Sequence, residues 1–238
     1  MSLETVESGQ ASCYVDRLQV PRNTLKYRFN WGARSMYEEF ILDLPFKGAR
    51  DYLRLADILP ALIELARDRF GPQADVDSLT IRRPFRRGIQ VSFEPSVAFS
   101  GSFRVRHGRE NTPGWLLETE RPVTRRIRFD SSLLSAVAVS GPGFAQILEP
   151  LPGFTAFDVV VTLMKQVAAQ VNRRHWWMCQ LNLETPLTGV FPVEVRIRQN
   201  LNGQFLLFDI VQAGTAIGSA RGILEGVSSQ EAIIVPVI

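Results

Sequence analysis

Apolar residues recur at helical spacing along two stretches of the chain and alternate with polar ones over many shorter runs, so the pattern predicts two long helices among many strands. The more apolar helix is expected from Phe157 to Arg174. There Val160, Leu163, Met164, Val167 and Val171 fall three and four apart on one stripe, while Val159, Val161, Ala168 and Ala169 cover much of the remainder. A helix so apolar belongs inside a globular protein. Its length, about 27 Å, is near membrane width, but Asp158, Lys165 and Gln166 interrupt it and strand-forming sequence follows, so a sheet wrapped around it is the better reading. The other helical period covers Tyr52 to Phe70, with apolar positions at 55, 58, 59, 62, 63 and 66. Pro60 sits inside it, so this helix either begins near Ala56–Ile58 with Pro60 in its first turn or is kinked there. Gly71-Pro72 ends it.

Strands are expected within residues 13–37, at Glu38–Leu44, Ser78–Arg82, Ile89–Phe93, Val97–Arg106 and Trp115–Thr119, the first helix being followed by an antiparallel meander. Arg121–Asp130 reads as a boundary. Beyond it, strands are expected at Leu133–Val139 and Ile147–Leu151, then after the second helix at Met178–Glu184, Val193–Gln199, Phe205–Val211 and Ala216–Glu225. Pro186, Gly189, Pro192, Asn202-Gly203 and Gly214 mark the turns.

The two halves match. Each runs strand, turn, long helix, then three or four strands. Asp57 aligns with Asp158 at an offset of 101, LTIRRPF (79–85) with LNLETPL (181–187) at 102, and IQVSFEP (89–95) with VEVRIRQ (193–199) at 104. Such a repeat is too long for a solenoid and suggests a duplicated domain, residues 1–120 and 121–238, packed as a pseudo-dimer in the isologous manner of a C₂ pair. The fold class is α+β.

Composition narrows the function only a little. Apolar residues at 45% and charged residues at 21% are ordinary for a globular protein, and a net charge of +3 does not by itself argue for nucleic acid. The basic residues are 24 Arg and three Lys, Lys26, Lys47 and Lys165. A GC-rich codon bias would explain that ratio, as would Arg forks holding carboxylate or phosphate. Cys13 and Cys179 have no metal or CxxC spacing. The start has neither a basic n-region nor an apolar h-region, and no stretch reads as a membrane span, so a cytoplasmic protein with free thiols is expected.

A curved antiparallel sheet around one long apolar helix is the hotdog arrangement, and two copies make a double hotdog, a fold whose members bind acyl thioesters between facing helices. Asp51-Tyr-Leu-Arg-Leu-Ala-Asp57 with Arg69-Phe-Gly71, and Lys165-Gln-Val-Ala-Ala169, also resemble the two helices of the A-factor biosynthesis (AfsA-type) family. Its members carry two hotdog repeats and join a β-ketoacyl thioester to a phosphorylated three-carbon alcohol. In that family each helix has an acid followed three positions later by Arg-Gln. Here Pro60 follows Asp57 at that distance, and Thr162, Lys165 and Gln166 fill the second motif. A Lys does not reproduce a guanidinium fork.

The resemblance implies an acyl-ACP or acyl-CoA partner, no bound cofactor, and thioesterase, dehydratase or AfsA-type chemistry in a cleft lined by Asp57, Thr162, Lys165 and Gln166. Each residue also has a plainer explanation. Asp57 and Asp158 suit helix capping as well as general-base work. Lys165 can reach solvent along its stem or contact substrate. His175 is either structural or an acid/base group, and Arg173 and Arg174 either hold coenzyme A phosphates or merely face water at a helix end. His107 lies in a polar loop. Arg82, Arg83, Arg86 and Arg87 form either a solvated turn or a dock for an acidic carrier protein or nucleic acid, although no nucleic-acid reader motif accompanies them. No His-Phe-Pro dehydratase motif, Asp-x₄-His signature, GxSxG elbow, P-loop, GxGxxG or metal-ligand spacing is present. A non-catalytic hotdog module with degenerate sites is the alternative function, and a homodimer is compatible with either.

Overall fold

A computed structural model describes residues 40–226; the strand expected within 13–37 lies outside them. In chain order the elements are β1 (Phe40–Leu42), β2 (Phe46–Lys47), α1 (Leu55–Phe70), β3 (Asp75–Ile81), β4 (Arg87–Ser92), β5 (Gly101–His107), β6 (Glu110–Pro122) and β7 (Arg126–Ile127). There follow α2 (Ser132–Val137), β8 (Val139–Gly141), β9 (Phe144–Ile147), α3 (Ala156–Val171), β10 (Trp176–Leu183), β11 (Val193–Leu201), β12 (Phe205–Gln212) and β13 (Thr215–Leu224). The α+β expectation holds, with a helix of 16 residues in each half.

Eleven strands form one sheet in the order β1-β4-β6-β5-β3-β10-β13-β12-β11-β9-β8. Strands before α2 make one side and strands after it the other. They meet at β3 and β10, where Ser78, Leu79 and Thr80 stand opposite Asn182, Leu181 and Gln180. Leu79 and Leu181 are the residues that the 102-residue offset makes equivalent, and an isologous contact about a twofold axis pairs such residues with each other. Ser78 Oγ donates to Asn182 Oδ1 at 3.0 Å beside them. A second link is the short parallel pair of β2 with β7, Phe46 opposite Arg126. The presumed boundary at Arg121–Asp130 therefore carries residues that pair back onto the first half.

Both helices lie against the sheet because their apolar stripes need cover. Ile58, Leu59, Leu62 and Leu65 of α1 are buried, as are Val160, Leu163, Met164 and Val167 of α3. The core is continuous across the halves. Pro60 falls in the second turn of α1, which begins at Leu55, rather than in the first turn.

The halves differ in two respects from the sequence expectation. First, two strands expected before α3 are displaced: the one expected at Ile147–Leu151 is instead β9, Phe144–Ile147. Leu133–Val139 is not a strand: Ser132–Val137 forms α2, a short helix that buries Leu134, and only β8 beyond it is extended. Secondly, the strands after α1 do not form a simple meander. β6 lies between β4 and β5, so these two consecutive strands are not neighbours. In the second half β11, β12 and β13 pair in sequence through tight turns at Asn202-Gly203 and Ala213-Gly214. All four of these residues have positive φ; Ala213-Gly214 make up a whole two-residue hairpin loop, whereas the loop at Asn202-Gly203 has Gln204 as a third residue.

Candidate functional site

The helix starts converge. Asp57 and Asp158 each occupy the third position of their helix, where a carboxylate accepts from the free backbone N–H groups and opposes the dipole. Thr155 caps α3: its Oγ1 donates to Asp158 Oδ2 at 2.8 Å and accepts from the Asp158 N–H at 3.1 Å. At α1 the capping residue is Arg54, whose backbone N–H donates to Asp57 Oδ2 at 2.8 Å. With no hydroxyl to offer, its side chain instead crosses to the other half, where Nη2 reaches Asp158 Oδ1 at 3.2 Å.

Lys47, carried by β2, completes the junction. Its Nζ lies 3.2 Å from Asp57 Oδ1 and 3.0 Å from Asp158 Oδ1. Arg50 Nη1 reaches Asp57 Oδ2 at 3.1 Å. Three cations thus enclose two carboxylates whose side chains are almost wholly buried. The Phe129 ring covers the group, with Lys47 Nζ and the Arg54 and Arg50 guanidiniums 5.1, 5.1 and 5.7 Å from its centroid. Burial alone would push the Asp57 carboxyl up, but Arg54, Lys47 and Arg50, with the Arg54 N–H, outweigh that and hold it below the usual range.

Beside this junction is a narrow cleft between the halves. Tyr52, Leu53, Leu55, Ile81 and Pro84 wall it from the first half, and Val161, Trp177 and Met178 from the second, with Arg54 and Lys165 as its charged groups. Its free volume is about 20 Å³, room for roughly one water. A smaller cleft adjoins it along α3 and shares Val161, Lys165, Trp177 and Met178. Lys165 stands between the two. Among the described residues it makes no hydrogen bond or ion pair. Burial, then the Arg54 and Arg50 charges, lower its amine to about 8, against a smaller opposing pull from Asp57.

The structure brings Asp57, Asp158 and Lys165 into one neighbourhood and sends the other expected residues elsewhere. Thr162 is buried but donates back to its own helix, Oγ1 to the Asp158 carbonyl at 2.8 Å. Gln166 turns to α2, Nε2 donating to the Ser135 carbonyl at 3.1 Å. His175 is half-exposed, 3.5 Å from Glu225, and Arg174 donates to the Glu225 carbonyl at 3.4 Å. Arg173 and Arg174 are exposed beyond the end of α3. His107 stacks on Phe70 with ring centroids 4.6 Å apart and pairs with Thr112. The arginine cluster at 82–87 is neutralised: Arg83 pairs with Glu118, Arg86 with Asp51 and Arg87 with Glu120, while Arg82 lies over Phe99. Cys179 is buried, its thiol pushed up to about 12 by burial and so inert.

Lys47, Arg50, Arg54 and Phe129 were missed from sequence. Arg50 and Arg54 stand four apart just before α1, and Lys47 is one of three lysines, but nothing local shows that they meet Asp158. Among the described residues no group of three His, Cys, Asp or Glu could hold a metal ion, and no helix is long and apolar enough to cross a membrane.

No protein-family model matches the chain, and no curated protein matches it. Solved structures do resemble it. One is the dehydratase domain of the polyketide PpsC from Mycobacterium tuberculosis, at 12% identity over 74% of this chain and 85% of that one, TM-score 0.45. Another is the dehydratase domain from the CurF module of curacin polyketide synthase, at 11% identity over 81% and 95%, TM-score 0.44. A third is a tesB protein of Mycobacterium avium subs paratuberculosis, at 11% identity over 84% and 96%, TM-score 0.43.

Proposed function

We propose that the chain is a double hotdog protein, its two units dividing near residues 120–122, and that it binds and processes an acyl thioester carried by coenzyme A or an acyl carrier protein. The observation that carries this reading is Lys165, an amine without a partner in an apolar cleft whose walls come from both halves. An acyl chain would lie along Trp177, Met178 and Ile81 and bring its carbonyl to Lys165 and Arg54. Asp57 and Asp158 hold the cations in place rather than meeting the substrate directly, since each is already engaged by capping and ion pairs. Lys165, partly neutral near physiological pH, serves as the base or the carbonyl contact. Arg173 and Arg174 are the candidates for the carrier's phosphates.

The test is native mass spectrometry of the purified protein for a bound acyl ligand, followed by turnover of a panel of acyl-CoA and acyl-ACP thioesters by the wild type and Lys165→Met. Turnover lost in the variant supports the reading; equal rates in both remove Lys165 from the site. One observation favours a second reading, a non-catalytic scaffold: the cleft has a free volume of only about 20 Å³. Absence of both ligand and turnover across the panel would decide for it.

A further inference from the structure

The sequence holds 24 arginines and three lysines. Of the lysines, Lys47 is locked between two carboxylates and Lys26 lies outside the described residues. Lys165 is partly enclosed and makes no ion pair among the described residues, in a chain that otherwise meets its need for positive charge mostly with guanidinium. A guanidinium cannot lose its proton at any ordinary pH, whereas an amine can, and then carries a nucleophilic lone pair. A lysine at this position offers what a guanidinium lacks, a nitrogen that can shed its proton.

We propose that Lys165 is a carbonyl-capturing amine, forming an imine with an aldehyde or ketone group of a ligand seated in the cleft between α1 and α3. The lone pair of the neutral amine adds to the carbonyl carbon, and the carbonyl oxygen takes a proton to give a carbinolamine. The nitrogen then expels that oxygen as water and keeps a double bond to carbon. Carbonyl and amine become imine and water, with no oxidant or reductant, and water reverses the step.

Three features of the cleft fit. Its walls about Lys165 are apolar, so the ammonium gains little there and the neutral form is favoured. The charges that act on the amine from the first half are Arg54, which shares the cleft, and Arg50 and Asp57 of the adjoining junction. The two guanidiniums repel a neighbouring ammonium, and the carboxylate is held by other partners. Tyr52 lines the same cleft. Burial pushes its phenol up, so it remains a proton donor for the departing hydroxyl near neutral pH. The inference shares this cleft with the proposed function but does not need a thioester, since the captured group is a separate aldehyde or ketone.

The experiment treats the purified full chain with butanal, and separately with acetone, in the presence of cyanoborohydride near neutral pH. Adducts are counted by intact mass and located by peptide mapping, which three lysines make unambiguous. Lys165 should be labelled at least about tenfold faster than Lys26 or Lys47, because an amine lowered to about 8 is neutral far more often than an ordinary lysine. Lys165→Arg should lose that adduct while keeping its melting transition. Label shared evenly among the lysines, or confined to Lys26, Lys47 and the terminal amine, overturns the proposal. Labelling of Lys165 without thioester turnover sustains it while the proposed function falls; turnover that depends on Lys165 without any adduct does the reverse.

Discussion

The two helices begin alike and are loaded differently. At α3 a threonine caps the helix and the acid stays at home; at α1 an arginine occupies the cap, so its side chain is free to reach the acid of the other half. All three cations of the junction, Lys47, Arg50 and Arg54, come from the first half, although the second supplies one of the two carboxylates. The same contrast recurs further along. The offset of 101 that relates Asp57 to Asp158 also relates Glu64 to Lys165, yet Glu64 is exposed and Lys165 is largely enclosed. Two helix starts with an acid at the same position can thus share one asymmetric cluster. Each half brings what the other lacks, and neither helix start completes the cluster alone.

The sharpest way to break the comparison is Asp158→Ala. It strands Lys47 and Arg54 in a buried setting, and is expected to cost about 3–5 kcal/mol in urea unfolding. Acid acts on the same lock through Asp57. Its carboxyl is held below the usual range in the folded state, so its contribution is fully present above the unfolded value near pH 4 and is lost as pH falls through the lower folded value. A melting series into that range should show the loss, and Asp57→Asn should flatten it.

The next effect has the opposite sign. Lys165→Met should raise stability by about 2 kcal/mol near neutral pH, because the folded state disfavours the ammonium that the unfolded chain keeps. The advantage should be full below pH about 8 and close as pH rises toward the ordinary lysine range, where both states lose the proton. The equivalent change, Glu64→Met, is expected to move stability by no more than about 0.5 kcal/mol, as an exposed helix position. Equal effects at the two positions would show that the halves are loaded alike after all.

What the sequence displayed was set by periodicity. α3 was legible because its apolar residues run almost all round, and β10 to β13 because turns rich in Pro, Gly and Asn punctuate strand-forming runs. α2 was not, since six residues give fewer than two turns and its single buried leucine cannot declare a period. The order of β4, β5 and β6 was hidden for a different reason: the stretch from Phe93 to Ser100 is long enough to step past a strand, and turn spacing alone does not say which strand will fill the gap. Lys165 stood out early as an ion in an apolar helix. Its neighbours did not, because the junction joins residues 47–57 with Asp158, a contact that only tertiary packing creates.

The inserted position of β6 bears on how the chain acquires its shape. β12 finds β11 through a turn of a few residues, so that ribbon zips from Asn202-Gly203 outward at small entropic cost. β4 must wait for a strand that starts beyond β5, pairing Ile89 with Glu118 and Ser92 with Trp115 only after the hairpin at Gly108 has closed. The β11–β12–β13 ribbon therefore has the more local pairing and is expected to form before β4 finds its place, while β9 and β10 join that ribbon only across long stretches of chain.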